Sequence, residues 1–252
     1  MEALDLNGFA VVRDLFTSDD IREAEILLDE LCVNLQSRPP EGRDHRFYGE
    51  MRPVDGLTAQ DHADGIDQFE VRYAASFEPR LLETRLFRRC EAYARALCGD
   101  VSRSFDHAII KSARNVTETP WHQDAAFHRF GAARQAARLK RLHFWIPLQD
   151  VGPESGCMEF IAGSHRNPLL HHDRFQRSSG TMGYATTLPD DSRRVACPLS
   201  VGGLTVHLPG TVHYCGRNAS DRPRKAWIIQ FARFGEVQLF FKRLAGWVPK
   251  AL

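Results

Sequence analysis

Beyond residue 100 the chain is cut into short runs of alternating character: FDHAIIKS, WHQDAAFH, RLHFWIPLQD, CMEFI, GGLTVHLPG and KAWIIQFARF. In RLHFWIPLQD, Leu142, Phe144, Ile146 and Leu148 alternate with His143, Trp145 and Pro147, the period of two that sends successive side chains to opposite faces of a sheet. Turn clusters such as VGPESG and GRNASDRP separate the runs, and their Gly, Pro, Asn and Asp residues favour chain reversal. Short strands joined by turns imply a sandwich or jelly roll over residues 101–235.

The first hundred residues have a different texture. GFAVVRDLF, residues 8–16, is β-rich, and FTSDDIREAEILLDELCVNL then changes to helical spacing through Ile21, Ala24, Leu27, Leu28, Leu31 and Leu35. Thr17 suits the N-cap, Phe16 and Ile21 are spaced for a hydrophobic staple, and Asp19 and Asp20 complement the positive end of the helix dipole. Residues 37–65 are polar and broken by Pro39, Pro40 and Pro53, which predicts a long loop. A second helix is predicted over residues 81–98, with Leu82, Leu86, Tyr93 and Leu97 on one face and Gly99 as its stop. A further polar stretch, residues 164–200, is predicted as loop and contains His171 and His172. A length of 252 residues permits one large domain or two small ones. The expectation is one domain over 1–252, mainly β with flanking helices, in which residues 1–100 give mainly helical support and loop.

Charge and composition exclude several functions. Lys and Arg total 33 against 32 Asp and Glu, a net charge of +1, so neither nucleic acid nor an anionic membrane is an expected partner. No apolar run approaches the ~18 residues of a membrane span, and MEALDLNGFAVV lacks the pattern of a signal peptide. The expected location is the cytoplasm. Six cysteines occur without a CxxC pair, so they are read as reduced core residues rather than zinc ligands or a disulfide framework.

Chemistry is concentrated in TETPWHQDAAFH, residues 117–128. In a strand, His122 and Asp124 would project from one face and aim an imidazole and a carboxylate at a single point. A mixed nitrogen and oxygen set suits iron or zinc better than magnesium. A lone histidine is more often a surface or core residue than a ligand, and His45, His62, His171 and His172 are set aside as lying in polar stretches. His213 differs: it follows LTVHLPGT, a strand ending in a Pro-Gly turn, and Arg224 stands eleven residues beyond it at the start of another apolar run. If two strands present His122, Asp124 and His213 inward, the result is a two-histidine, one-carboxylate set with open positions, the arrangement of non-haem Fe(II) oxygenases.

GFAVVRDLF with its amphipathic helix, TPWHQD, FWIPLQDVGPESGCMEFIAGSH and HYCGRNASDRPRKAW together resemble the phytanoyl-CoA dioxygenase family, in that family's order and across most of the chain. The resemblance implies a double-stranded β-helix, the cupin-like jelly roll, and a dependence on Fe(II), 2-oxoglutarate and O2. It implies that His122, Asp124 and His213 are the iron ligands and that Arg224 pairs with the distal carboxylate of 2-oxoglutarate, a task for which a planar guanidinium is better shaped than an ammonium. Trp145 matches a position lining the co-substrate pocket, and its competing reading is a sheet aromatic. Lys111, on the strand before the HxD turn, is a candidate for the same pocket beside its reading as a solvated strand lysine. Tyr214 and Cys215 replace the small Gly and Ser that usually follow the distal histidine.

The implied activity is a dioxygenase that hydroxylates or otherwise oxidises a small polar metabolite and releases succinate and CO2. Asp124 favours oxidation over halogenation, since related halogenating enzymes carry a small residue there. The rival reading is a cupin-like metal-binding or isomerising protein without redox turnover, for which Arg224 has no use. Residues 37–65 and 164–200 are the expected lid, with substrate contacts from residues such as Phe47, Tyr48, Arg52 or Arg72. Oligomeric state is not legible.

Overall fold

The computed structural model describes residues 2–37, 68–128, 141–176, 182–188 and 193–233. Among them lie strands β1 (Phe9–Val12), β2 (Gln68–Arg72), β3 (Ser102–Lys111), β4 (Thr119–His122), β5 (Arg141–Pro147) and β6 (Met158–Ile161). They are followed by β7 (Asp173–Gln176), β8 (Met182–Ala185), β9 (Arg194–Cys197), β10 (Leu204–His207), β11 (His213–Cys215) and β12 (Arg224–Ala232). A six-stranded sheet has the order β1-β10-β5-β12-β3-β2, a four-stranded sheet the order β4-β11-β6-β9, and β7 and β8 form a separate ribbon. All pairings are antiparallel. This is the jelly roll that the alternating runs predict.

The large sheet is buried on both faces, and the period of two assigns each residue to a layer. On β12, Trp227, Ile229 and Phe231 join Leu142, Phe144 and Ile146 of β5 on the outer face. There they pack against α2 (Ser18–Ser37) through Ile21, Ala24, Leu28, Leu31 and Leu35, and against α4 (Arg85–Cys98) through Leu86, Phe87, Cys90 and Ala94. The intervening residues turn inward. Trp145, Ala226 and Ile228 of the large sheet meet Met158, Phe160, Cys197 and Cys215 of the small one, and Phe9 of β1 stacks on Phe160 of β6 at 4.4 Å. All six cysteines are free and buried, as expected. No described helix is long and apolar enough to cross a membrane.

α2 begins as its sequence predicts. Thr17 Oγ1 accepts from the Asp20 amide and Asp20 Oδ2 accepts from the Thr17 amide, a reciprocal cap, while Phe16 and Ile21 are both buried in the same cluster. Two short helices, α1 (Glu2–Asn7) and α3 (Ala74–Phe77), were not expected from the pattern.

Three expectations are corrected. The predicted helix over 81–98 is a 3-10 turn, Pro79–Glu83, followed by α4 from Arg85, because Thr84 takes an extended conformation and caps the new helix. Residues 164–200 contain β7, β8 and β9 rather than loop alone; Arg194, Val195 and Ala196 of β9 are exposed, so no hydrophobic alternation reveals the strand. The first hundred residues are more than helical support, since β1 and β2 form the two edges of the large sheet. The stop at Gly99 is as predicted: its φ is 76° and its amide donates to the Arg95 carbonyl.

Thr84 is the joint of the helical layer. Its Oγ1 accepts from the Phe87 amide at 3.2 Å and donates to the Leu81 carbonyl at 2.7 Å, both in buried surroundings. Thr84→Ala is expected to lower unfolding free energy by about 1 to 2 kcal/mol, measured by urea denaturation, while Thr84→Ser retains most of it. An alanine variant as stable as the parent would show that the cap is dispensable.

Candidate metal and co-substrate site

The site is built by pairing. β11 lies between β4 and β6, and its register sets His213 directly opposite His122. Facing residues on paired antiparallel strands are close enough for side chains to touch, and the two imidazole centroids are 4.1 Å apart. Asp124 completes the group, but not by strand alternation. β4 ends at His122 and Asp124 opens a 3-10 turn, Asp124–His128, so the assumption that WHQD is one strand is corrected. The turn is fixed by Gln123, whose Nε2 donates to the Gly210 carbonyl and whose Oε1 accepts from the Leu170 amide. His172, set aside in the sequence, is buried and holds this turn: its Nε2 accepts from the Gln123 amide at 3.0 Å.

Asp124 Oδ1 lies 3.5 Å from His122 Nε2 and 3.8 Å from His213 Nε2. Each of these histidines donates Nδ1–H to a carbonyl two residues earlier, His122 to Pro120 at 2.8 Å and His213 to Thr211 at 2.9 Å. That bond fixes the tautomer and leaves the Nε2 lone pair directed at Asp124, the usual way in which a ligating imidazole is oriented. Burial alone would raise the Asp124 carboxyl, but the surrounding imidazoles and their hydrogen bonds outweigh it and hold the group well below the usual carboxylate range. Burial pushes His213 well below the ordinary imidazole value. An ionised carboxylate beside a neutral imidazole is the protonation state that a metal ion requires of its ligands. His122, Asp124 and His213 therefore fit a divalent ion, and their donor atoms lie within 4.8 Å of one another.

A second buried charge lies against the far end of β11, at Cys215. Arg224 opens β12 at 2% exposure. Its guanidinium donates to Cys215 Sγ at 3.0 Å and sits 5.5 Å from the centroid of Trp145. Among the described residues it has no carboxylate partner, and its Nε has no hydrogen-bond partner. A buried guanidinium without a counter-ion is costly, so this is a place made for an anion. Cys215 and His213 lie two residues apart on one face of β11, about 7 Å along the strand, a span suited to a short dicarboxylate held at both ends. Cys215 donates to the Gly156 carbonyl at 3.1 Å.

Lys111 is fully buried, so its reading as a solvated lysine is corrected. It pairs with Arg224 in register, and its ammonium donates to the carbonyls of Thr117, Gly216 and, more weakly, Cys215. Phe127, 46% exposed, stands with its ring 6.2 Å from His122 and edge-on to Tyr184 of β8 at 4.8 Å. The Thr186 amide donates to the Trp121 carbonyl, so the β7–β8 ribbon adjoins the site beside β4. Phe47, Tyr48 and Arg52, with His45 and His62, lie outside the described residues. Arg72 pairs with Glu70 at 3.2 Å.

Sequence reasoning missed two residues, His143 and His207. They face each other across β5 and β10, and both reach Asp124 Oδ2, at 2.5 Å from His143 Nδ1 and 3.2 Å from His207 Nε2. The alternation of RLHFWIP puts His143 on the face of Trp145, which was the available signal; LTVH places His207 in the same way.

Comparison with known proteins agrees with this geometry. EvdO2 from Micromonospora carbonacea var. aurantiaca, solved with 2-oxoglutarate, is 27% identical, with a TM-score of 0.70 covering 92% of this chain and 89% of that one. The epimerase SnoN, solved with Fe3+, alpha ketoglutarate and nogalamycin RO, gives a TM-score of 0.64 at 21% identity over 95% of this chain and 86% of its own, a likeness of fold. The peroxisomal phytanoyl-CoA dioxygenase of Rattus norvegicus is 23% identical over 232 residues, covering 87% of this chain and 63% of the rat protein, so this chain spans under two thirds of that relative. The family profile of phytanoyl-CoA dioxygenase (PhyH) matches residues 4–226. The chain thus belongs to the phytanoyl-CoA dioxygenase family, whose members depend on Fe(II), 2-oxoglutarate and O2.

Proposed function

We propose that the protein is an Fe(II)- and 2-oxoglutarate-dependent dioxygenase that hydroxylates or otherwise oxidises a small polar metabolite. The observation that carries this reading is Arg224, a buried cation with no carboxylate among the described residues, near three metal-fitting donors. A metal site without redox turnover has no need of it. Family membership and the likeness to EvdO2 support the same reading.

His122, Asp124 and His213 would hold Fe(II), and Arg224 would hold the distal carboxylate of 2-oxoglutarate against the face of Trp145. When bound, this group couples decarboxylation of 2-oxoglutarate by O2, giving succinate and CO2, to oxidation of a substrate C–H bond. The protein's own residues do the rest. The carbonyls of Pro120 and Thr211 accept from Nδ1 and keep the two imidazoles aimed. Arg224 turns a flexible diacid into one pose, and the apolar wall of Trp145, Ile228 and Phe160 excludes water beside it. Lys111 acts here as a tie between the carbonyls of Thr117, Gly216 and Cys215 rather than as a co-substrate contact. Phe127 and Tyr184 form an aromatic wall beside His122.

His122→Ala, Asp124→Ala and His213→Ala are each expected to abolish turnover and the weak visible charge-transfer band that Fe(II) and 2-oxoglutarate give together without O2. Near-normal activity with iron bound in any one of them would remove that residue from the ligand set. Arg224→Ala should weaken apparent 2-oxoglutarate affinity by about 2 kcal/mol or more, roughly thirtyfold, with only partial rescue by lysine. Saturation at the parent's 2-oxoglutarate concentration would move the role elsewhere. For Lys111→Met the expected signature is the reverse, a marked drop in thermal midpoint with a much smaller change in 2-oxoglutarate dependence. A stable variant with lost 2-oxoglutarate binding would make Lys111 a contact after all.

A further inference from the structure

Asp124 is shared between two pairs of histidines, one on each oxygen. Oδ1 faces the Nε2 atoms of His122 and His213. Oδ2 faces His143 Nδ1 at 2.5 Å and His207 Nε2 at 3.2 Å. The second pair lies in the large sheet, on neighbouring strands in register, while the first lies in the small sheet. Asp124 therefore spans the two layers at the site. His143 is wholly buried and His207 is 2% exposed, so neither bond competes with bulk water.

A carboxylate that ligates a metal through Oδ1 can only accept at Oδ2, so each of the two ring nitrogens facing Oδ2 donates to it. This assignment leaves His143 Nε2 and His207 Nδ1 as bare acceptors, and these two atoms have no hydrogen-bond partner among the described residues. Leaving a buried acceptor unmet is costly, yet both rings turn their donor to the same carboxylate oxygen. A second metal ion bound by Asp124, His143 and His207 is the competing account, since the three offer donor atoms within 4.8 Å of one another. His143 Nδ1 stands 2.5 Å from Asp124 Oδ2, closer than the ~3 Å that separates two atoms each bound at ~2.1 Å to one ion at a right angle, so the pair fits a short hydrogen bond better than shared ligation.

We propose that His143 and His207 are positioning residues that occupy Asp124 Oδ2, so that the carboxylate offers the metal Oδ1 alone. The proposal rests on the metal reading of the site given above. An aspartate with both oxygens free can chelate through both and take up a coordination position; one whose Oδ2 is held by two donors cannot. The positions left for co-substrate and oxygen are thus set by two side chains that do not themselves touch the metal.

The test uses the full chain and Mn(II) alone as the first probe, followed by Fe(II) with 2-oxoglutarate under anaerobic conditions. Wild-type protein is expected to bind one Mn(II). His143→Leu and His207→Leu, checked for folding by circular dichroism, should each weaken Mn(II) binding by about tenfold to a hundredfold and shift the anaerobic charge-transfer band. His143→Asn and His207→Gln, which keep a donor near the Nδ1 and Nε2 positions respectively, should restore both readings. Difference infrared spectra of the wild type with and without Mn(II) read the carboxylate directly, independent of any variant, and a monodentate pattern is expected. Folded leucine variants with unchanged affinity and band, a bidentate pattern, or two Mn(II) per chain with one lost in the leucine variants would each overturn the proposal. Wild-type protein that binds no Mn(II) or Fe(II) would instead overturn the metal reading itself.

Discussion

The pairing of β11 with β4 is the contact on which the site depends. A three-residue strand has little stability of its own, and β11 is held because both of its edges are used, by β4 on one side and β6 on the other. That central position fixes its register, and a slip by one residue would turn His213 away and bring Tyr214 inward. The same strand carries Cys215, which touches Arg224. His122, His213 and the Arg224 contact are thus aligned by one short element held on both edges.

How much of this was legible follows from where the signals are local. The jelly roll could be read because period-two alternation is a property of neighbouring residues, as in β5. α2 could be read because its cap, staple and apolar stripe lie within one sequence window. His122, Asp124, His213 and Arg224 were found by motif and spacing, and the structure gathers the first three and places the fourth on β12 of the large sheet, against Cys215. The mechanism of their convergence was not legible, since Asp124 reaches the site through a turn held by Gln123 and His172, and that turn depends on residues up to 87 positions away in the chain. β7 and β9 were missed for a different reason: their exposed residues, Val195 and Ala196 of β9 among them, carry no burial pattern. His143 and His207 were visible as inward-facing positions, but nothing local distinguishes a histidine that meets a carboxylate from one that fills a core.

The chemistry of the interior is asymmetric in a useful way. The layer between large sheet and helices is mostly apolar, with buried Asp106 accepting from the Trp227 indole and the Ala75 amide. The layer between the sheets is apolar around Trp145, Met158 and Phe160 and polar where the histidines gather. Concentrating ionisable groups at one end of the thinner layer allows their neighbours to be dry. In that setting a hydrogen bond to a charged group is stronger than in water, so small displacements of Asp124 or Arg224 carry a large penalty.

The edge position of β1 has a consequence for how the protein is made. β1 pairs with β10, Phe9 opposite His207, so a strand from the start of the chain must wait for one synthesised near its end. At ribosomal rates this interval is about 10 to 40 s, during which Phe9 lacks its strand partner. Long-range pairings of this kind slow folding. His207 lies on the strand that β1 closes, so the last sheet edge to form is also the one that secures the histidine beside Asp124. The full surroundings of Asp124 are therefore assembled late in the life of the nascent chain.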